Sequence, residues 1–290
     1  MVLGSFYFKQ EAGRALRGNW QPALVVTFFS GVFLTLSSVL QALWVPDPVV
    51  YASYGLLERF WQELAAVSQT EWAALIVVNF ISLLLSPALA LGCNRYFLQL
   101  LAGKESGVRQ GLLGRMRIWP KALWLYVLMG VRVFLWSLLL IVPGILAAIR
   151  YSMAPYFMAQ DPSISASEAI EKSKHAMKEM KLAYFSLIIS FIGWSLLADV
   201  AQMLLMSFGV VIALVAAQFM QVAISAYMNA ACASFFLTVS SEDGMNSARR
   251  QMRERLRQMG MDDSDIDRAG FGANPTSGDS TPSGGEGDGE

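Results

Sequence analysis

Three ionisable residues inside apolar segments are the strongest candidates for chemistry in this chain. Arg132 and Arg150 lie near the middles of two successive apolar runs, and Asp199 lies within a third. A charge at that depth of a membrane is costly, so such residues usually face the protein interior and pair with one another. We predict that Asp199 pairs with Arg132 or Arg150, which leaves the other arginine free to bind a carbonyl, a lipid phosphate or an anionic ligand. The alternative is a buried ion pair that only holds three helices in register.

A stripe of polar side chains follows one face of the last apolar segment. Its members, at helical intervals of three and four residues, are Gln218, Gln221, Ser225 and Asn229. Amide side chains in a membrane join neighbouring helices by hydrogen bonds, and they also line water-filled paths. The first interpretation predicts a dry, packed bundle, whereas the second predicts a transporter or channel.

The elements that must position these residues are long apolar segments. Hydrophobic residues make up 55% of the chain and charged residues 15%, whereas soluble proteins carry about 25% charged residues. Because about 20 apolar residues span a bilayer, the sequence predicts an all-α, polytopic transmembrane helix bundle of six spans. We place these spans at residues 20–44, 72–101, 122–142, 144–159, 182–208 and 210–239. Pro143 and Gly144 are the predicted hinge between the third and fourth spans.

Positively charged residues in the connections predict the orientation of the chain. Lys and Arg are concentrated before the first span, after the second, after the fourth and after the last. Since such residues stay on the cytoplasmic side, we expect both termini in the cytoplasm. Around the bundle of residues 20–240, we expect an amphipathic interfacial segment over 1–19, a basic juxtamembrane helix over 241–261 and a disordered acidic tail over 262–290.

Basic residues on the cytoplasmic side are expected to contact the inner leaflet. Ser165 and Glu168 have the spacing of a capping box, and an amphipathic basic helix is predicted to follow them. Each basic residue near an anionic membrane surface contributes about 1 kcal/mol. The predicted contacts are Lys172, Lys174, Lys178, Lys181, Arg249, Arg250 and Arg253. The alternative is that these charges serve only to orient the chain.

The sequence offers almost no support for catalysis. It contains no Walker-type loop, no HExxH, no GxSxG and no CxxC pair. The single histidine, His175, and the two cysteines, Cys93 and Cys232, lack metal-ligand spacing. We therefore expect no enzyme activity, no cofactor, no metal and no nucleic-acid partner.

Several segments of the chain resemble one family of bacterial integral membrane proteins. The most specific segment is IVPGILAAIRYSMAPY, from Ile141 to Tyr156, and it is supported by Arg17-Gly-Asn-Trp20, Asp161-Pro162 and Ser190-Phe-Ile-Gly-Trp194. The family is catalogued as domain of unknown function nine hundred and seventy-five and is common in Firmicutes. The resemblance covers about residues 9–237. It implies a six-helix membrane protein, and it supplies no activity, ligand or catalytic residue.

Together these features predict a non-enzymatic protein of the bacterial cytoplasmic membrane with a scaffold or lipid-interacting role. Its expected partners are membrane lipids, chiefly the anionic lipids of the inner leaflet. The rival hypothesis is a transporter or channel for ions or small molecules that uses the Arg/Asp cluster and the polar stripe. A homo-oligomer or a membrane partner protein is compatible with either hypothesis.

Overall fold

The chain is helical throughout the part that the structure describes. The computed structural model describes residues 5–46, 48–104, 107–178, 180–241, 253–254, 256–258 and 260–266. The helices, numbered in chain order, are α1 (Ser5–Leu16), α2 (Trp20–Trp44), α3 (Pro48–Ser53), α4 (Leu57–Ala66), α5 (Gln69–Leu101), α6 (Val108–Leu113), α7 (Trp119–Leu139), α8 (Ile141–Tyr151), α9 (Ala154–Gln160), α10 (Ala166–Ala176), α11 (Lys181–Leu205), α12 (Val210–Ser240) and α13 (Asp263–Ile266). Short 3₁₀ turns at Met116–Ile118 and Met206–Phe208 precede α7 and α12. The predicted all-α class is confirmed.

Six helical segments in the described residues are long and apolar enough to cross a membrane, as the sequence predicts, and they indicate a membrane protein. They are Trp20–Trp44, Gln69–Leu101, Val108–Leu139, Ile141–Gln160, Lys181–Leu205 and Val215–Ser240. Two of these segments are interrupted. The third contains α6, a 3₁₀ turn and α7, and the fourth breaks at Ser152 and Met153 into α8 and α9.

The larger buried cluster lies where α1, α5, α9, α11 and α12 meet. Small residues on α12, among them Ala226, Ala230 and Ala233, let the neighbouring helices approach closely. Aromatic rings fill the space beside them, with Phe8 of α1 packed edge-on against Phe235 at 5.0 Å between ring centroids. The amphipathic α1 is thereby fixed to the bundle by its apolar face.

A second buried cluster joins α10 to α5, α7, α8 and α9. The predicted helix start at Ser165 is present, because the Ser165 hydroxyl accepts a hydrogen bond from the backbone N–H of Glu168 at 3.2 Å. The apolar face of α10, which includes Ala169 and Ile170, is completely buried. The sequence analysis expected this helix to rest on the inner leaflet. Its apolar face packs on protein instead, because α7 and α9 offer it an apolar surface.

The turn between α7 and α8 lies at Leu140 and not at the predicted hinge, Pro143 and Gly144. Leu140 has an extended backbone (φ −163°, ψ 151°), and Ile141 already begins α8. Pro143 therefore lies in the first turn of α8, where its missing N–H removes no helical hydrogen bond. At Gly144, a Cβ atom would lie 2.2 Å from Ser137 Oγ and 3.0 Å from Ser137 Cα. Gly144 thus allows α8 to approach α7 closely.

The C-terminal part differs from the prediction at one point. Residues 253–254 and 256–258 are helical, within the predicted basic helix. The predicted disordered tail begins with the helical turn α13, and Arg257 Nε pairs with Asp263 at 2.8 Å. Arg249 and Arg250 lie outside the described residues.

The close contact at Gly144 gives a first prediction. Gly144→Ala should lower the free energy of unfolding by about 1–3 kcal/mol, because the added Cβ overlaps Ser137 Oγ and presses on Ser137 Cα. Gly130→Ala in the middle of α7 is the matched control, since a Cβ atom at that position would have nothing within 4 Å and alanine favours a helix. Thermal unfolding in detergent would measure both variants, and equal midpoints for the two would contradict the packing role of Gly144.

Candidate functional site

The predicted cluster of Arg132, Arg150 and Asp199 does not form. Asp199 and Arg150 are exposed and Arg132 is half-buried. Among the described residues, no ion pair includes any of the three. The reason is helical phase, because Ala198 is the buried residue of its turn and Asp199 lies about 100° further around α11. The three residues have similar positions along their predicted spans, but their side chains do not lie on helix faces that meet.

The opposite charge near Arg132 comes from α10 instead. Lys174 Nζ donates a hydrogen bond to Glu171 at 2.6 Å and is the main cause of the lowered pKa of Glu171. The charges of Arg132 and His175 lower that pKa further. Arg132 Nη1 is buried without a hydrogen-bond partner among the described residues. We call Arg132, Glu171, Lys174 and His175 the base cluster, because it lies at the base of the α7–α8 hairpin.

Ser173 joins α10 by hydrogen bonds to the break between α8 and α9. Its hydroxyl donates to the backbone carbonyl of Arg150 at 2.7 Å and accepts from the backbone N–H of Met153 at 3.2 Å. These are backbone groups that a helix end leaves without an intrahelical partner. One fully buried hydroxyl therefore stabilises the end of α8 and the approach to α9. The sequence analysis assigned Ser173 no role, although a serine on the apolar face of an amphipathic helix was a visible signal.

Arg115 is a second residue whose role the sequence did not show. Its Nε and Nη2 atoms donate to the carbonyl of Ala159 at 3.1 and 2.5 Å, and Nη2 also donates to Gln160 at 3.3 Å. These carbonyls end α9, where the helix dipole favours a positive charge. Arg115 is buried by this contact. Because its partners lie more than 40 residues away in the chain, no local pattern indicates the pairing.

The polar stripe on α12 is divided between two neighbouring helices. Gln218 Nε2 donates to Thr35 Oγ1 of α2 at 2.9 Å, and Asn229 Nδ2 contacts Cys93 Sγ of α5 at 3.8 Å. Ser225 is half-buried between them, whereas Gln221 is exposed. The two amides thus act as interhelical hydrogen-bond donors, which is the ordinary use of such groups in a membrane.

The predicted leaflet contacts differ in how far their charge is compensated. Lys172 pairs with Glu168 at 3.0 Å, and Lys174 pairs with Glu171 at 2.6 Å. Lys178 is exposed and Lys181 half-exposed, and neither forms an ion pair among the described residues. Arg253 is described in only a short helical piece. Two lysines without an ion pair among the described residues therefore flank the connection from α10 to α11.

An apolar groove of about 720 Å3 runs between α2 and α12. Its walls include Phe28, Phe29 and Phe219, and Gln21 and Gln218 are its only amides. Such a lining suits an acyl chain better than a polar solute. In the described ranges, no group of three His, Cys, Asp or Glu side chains is arranged to hold a metal ion.

Residues 138–243 match the family model described as Protein of unknown function (DUF975). The match supports the predicted family assignment. It is shorter than the resemblance over residues 9–237, but it contains the whole segment from Ile141 to Tyr156. The DUF975 region thus begins near the tip of the α7–α8 hairpin and ends just after α12. Searches of curated proteins and of solved structures found no match.

The contacts of Arg115 predict a specific loss of stability. Arg115→Met should lower the free energy of unfolding by about 1.5–3 kcal/mol, because the end of α9 loses hydrogen bonds to a charged group. Arg117→Met is the control, since Arg117 is exposed on the same short segment. Chemical denaturation in detergent would show the difference, and an equal effect of the two substitutions would rule out the capping role.

The lowered pKa of Glu171 predicts a pH dependence. Lys174→Met should destabilise the protein near neutral pH, where Glu171 is ionised, and the difference should vanish as the pH falls below the ordinary range of a glutamate and through the lowered pKa. Lys178→Met is the control, because Lys178 forms no ion pair in the described part of the chain. Unfolding midpoints measured from pH 3 to pH 8 test this. A pH-independent effect of Lys174→Met would contradict it.

Proposed function

We propose that this protein is a non-enzymatic, lipid-interacting protein of the bacterial cytoplasmic membrane. The observation that carries the proposal is the use of the polar groups on α12. Gln218 and Asn229 are directed at α2 and α5, and the alanines between and beyond them are closely packed. Because the amides of α12 bond to neighbouring helices, they support a dry bundle interior. Lipids would then interact with the outer surfaces of the bundle.

Two surfaces suit lipid. The groove between α2 and α12 is apolar and opens sideways, where acyl chains would lie. Lys178 and Lys181 present positive charge at the α10–α11 connection, on the side that the distribution of Lys and Arg assigns to the cytoplasm. Basic residues in this position attract anionic headgroups.

The transporter hypothesis has less support. It requires a polar cavity that reaches Arg132, Arg150 and Asp199 together. Among the described residues no ion pair joins any two of them, and Arg150 and Asp199 are exposed. The stripe residue Gln221 is exposed on the outside of the bundle, away from any shared path.

Thiol labelling distinguishes the two hypotheses. Ser225→Cys and Asn229→Cys should resist a membrane-impermeant maleimide added to either side, because interhelical contacts exclude water from these positions. Ser207→Cys, in the exposed turn between α11 and α12, is the positive control. The buried Cys93 and Cys232 would be replaced by alanine in all samples. Labelling of Ser225→Cys as fast as the control would favour a hydrated path and overturn the proposal.

Anionic lipid should stabilise the protein through Lys178 and Lys181, which form no ion pair among the described residues. Moving the chain from phosphatidylcholine to phosphatidylglycerol nanodiscs should raise the unfolding midpoint, and Lys178→Gln with Lys181→Gln should remove about 1 kcal/mol of that gain per residue. Lys172→Gln should remove less, because Glu168 already compensates Lys172. Equal losses in the three variants, or no gain in the unsubstituted protein, would contradict the lipid contact.

A further inference from the structure

The α7–α8 hairpin is too short on one side to cross a bilayer. Helix α8 has 11 residues, from Ile141 to Tyr151. At 1.5 Å per residue it is about 16 Å long, whereas the hydrocarbon core of a bilayer is about 30 Å thick. Only the inclusion of α9 makes this segment long enough for a span.

Helix α9 does not supply the missing length, because it packs beside α10, whose outer face is charged. Its apolar side chains, among them Tyr156 and Met158, are buried. Helix α10 runs back along it, since Ile164, just before α10, shares a cluster with Ala159, whereas Ser173 bonds the backbone of Met153. The outer face of α10 carries the exposed charges Glu168, Glu171 and Lys172, and Lys178 follows just beyond its end. These charges require water or headgroups, so α9 at the same level lies outside the hydrocarbon.

Helix α7 also has too few residues beyond the level of α10 to cross a bilayer. Its first part, with Ala122 and Leu125, packs in the cluster that contains Ile170 of α10. Met129 and Val133, which lie beside Arg132 in α7, also pack against this cluster. Only the residues after Arg132 rise beyond the base cluster, and the seven positions to Leu139 cover about 10 Å.

The hairpin is also shorter than α11 when both are measured from the same level of the bundle. A layer of aromatic rings joins the helices, with Tyr156 stacked on Phe236 at 5.6 Å and Tyr184 against Phe235 at 5.3 Å. From this layer α11 continues 21 residues to Leu205, or about 32 Å. The chain from Tyr156 back to Ile141 is 15 residues, or about 22 Å at most. The hairpin therefore ends roughly 10 Å short of the far end of α11.

The tip of the hairpin has the chemistry of a hydrocarbon-embedded turn. Five consecutive aliphatic residues, Leu138 to Val142, are each about two-thirds exposed or more. The turn also leaves few backbone donors without partners. Leu140 N donates to Trp136 O and Gly144 N donates to Leu140 O, each at 3.3 Å. The first backbone N–H groups of a helix have no acceptor within the helix. Because Pro143 has no N–H, only Ile141 and Val142 in the first turn of α8 keep such unpaired donors. This reduces the cost of placing the turn in lipid.

We propose that the α7–α8 hairpin is a single-leaflet wedge, which enters the bilayer from the side of α10 and ends near the midplane among acyl chains. Arg150, exposed near its base, extends to the headgroup phosphates of that leaflet. The proposal rests on the membrane location of the chain and not on the proposed function. A wedge of this kind adds volume to one leaflet only. It therefore favours membrane curvature in which that leaflet is on the convex side.

Spin-label accessibility tests the depth of the tip. Leu140→Cys and Ser207→Cys, in a background with Cys93→Ala and Cys232→Ala, would be labelled with a nitroxide and placed in nanodiscs. We expect the label at position 140 to collide readily with oxygen and at least several-fold less with a water-soluble nickel complex than the label at position 207. Nickel access equal to that at position 207 would mean that the hairpin crosses the membrane. Low access to both reagents would mean that protein covers the tip, and either result overturns the proposal.

A charge substitution provides a second measurement that does not need a label. Leu140→Lys should lower the thermal midpoint in nanodiscs strongly, because a charge near the midplane is costly, whereas Ser207→Lys in the α11–α12 turn should have little effect. Equal effects of the two substitutions would contradict the wedge. If Leu140→Cys does not fold, Ile141→Cys offers the same depth measurement one residue along the tip.

Discussion

The charged face of α10 sets the depth of every element that packs against it. Because Glu168, Glu171 and Lys172 are exposed, α10 must remain in water or among headgroups. Its opposite face is completely buried on α7, α8 and α9, so those helices are held at the same level. Ser173 strengthens this attachment by bonding the backbone on both sides of the α8–α9 break. An amphipathic helix bound to protein thus decides how much of an apolar hairpin remains to enter lipid.

The polar groups of the bundle largely serve to hold helices together. Arg115 binds the carbonyl end of α9, Gln218 joins α12 to α2, and Asn229 contacts α5. Each contact satisfies a group that would be costly to leave alone in a low-dielectric interior. The family match, which is described only as a protein of unknown function, adds no reaction to this use in packing. The surfaces that remain for interaction are the apolar groove, the basic α10–α11 connection and the hairpin tip.

The same reasoning explains the failure of the predicted arginine–aspartate cluster. That prediction treated residues 144–159 as one complete span, which placed Arg150 near the centre of the membrane. The break at Ser152 and Met153 puts the second half of the segment beside α10. Arg132 and Arg150 therefore lie at the base of the hairpin, whereas Asp199 is exposed in the second half of α11. Glu171 of α10 is an acidic side chain whose pKa the charge of Arg132 helps to lower, although the two residues form no ion pair.

The sequence by itself determined the all-α class, the six apolar segments, the helix start at Ser165 and the family resemblance. These depend on local composition and spacing, because hydropathy and capping act over a few residues to about twenty. The tertiary structure alone decided the turn at Leu140, the cap formed by Arg115, the attachment by Ser173 and the absence of an ion pair at Arg132 among the described residues. Each of these depends on which faces of distant helices meet, and a contact between residues 20 to 44 positions apart leaves no periodic signal in the chain.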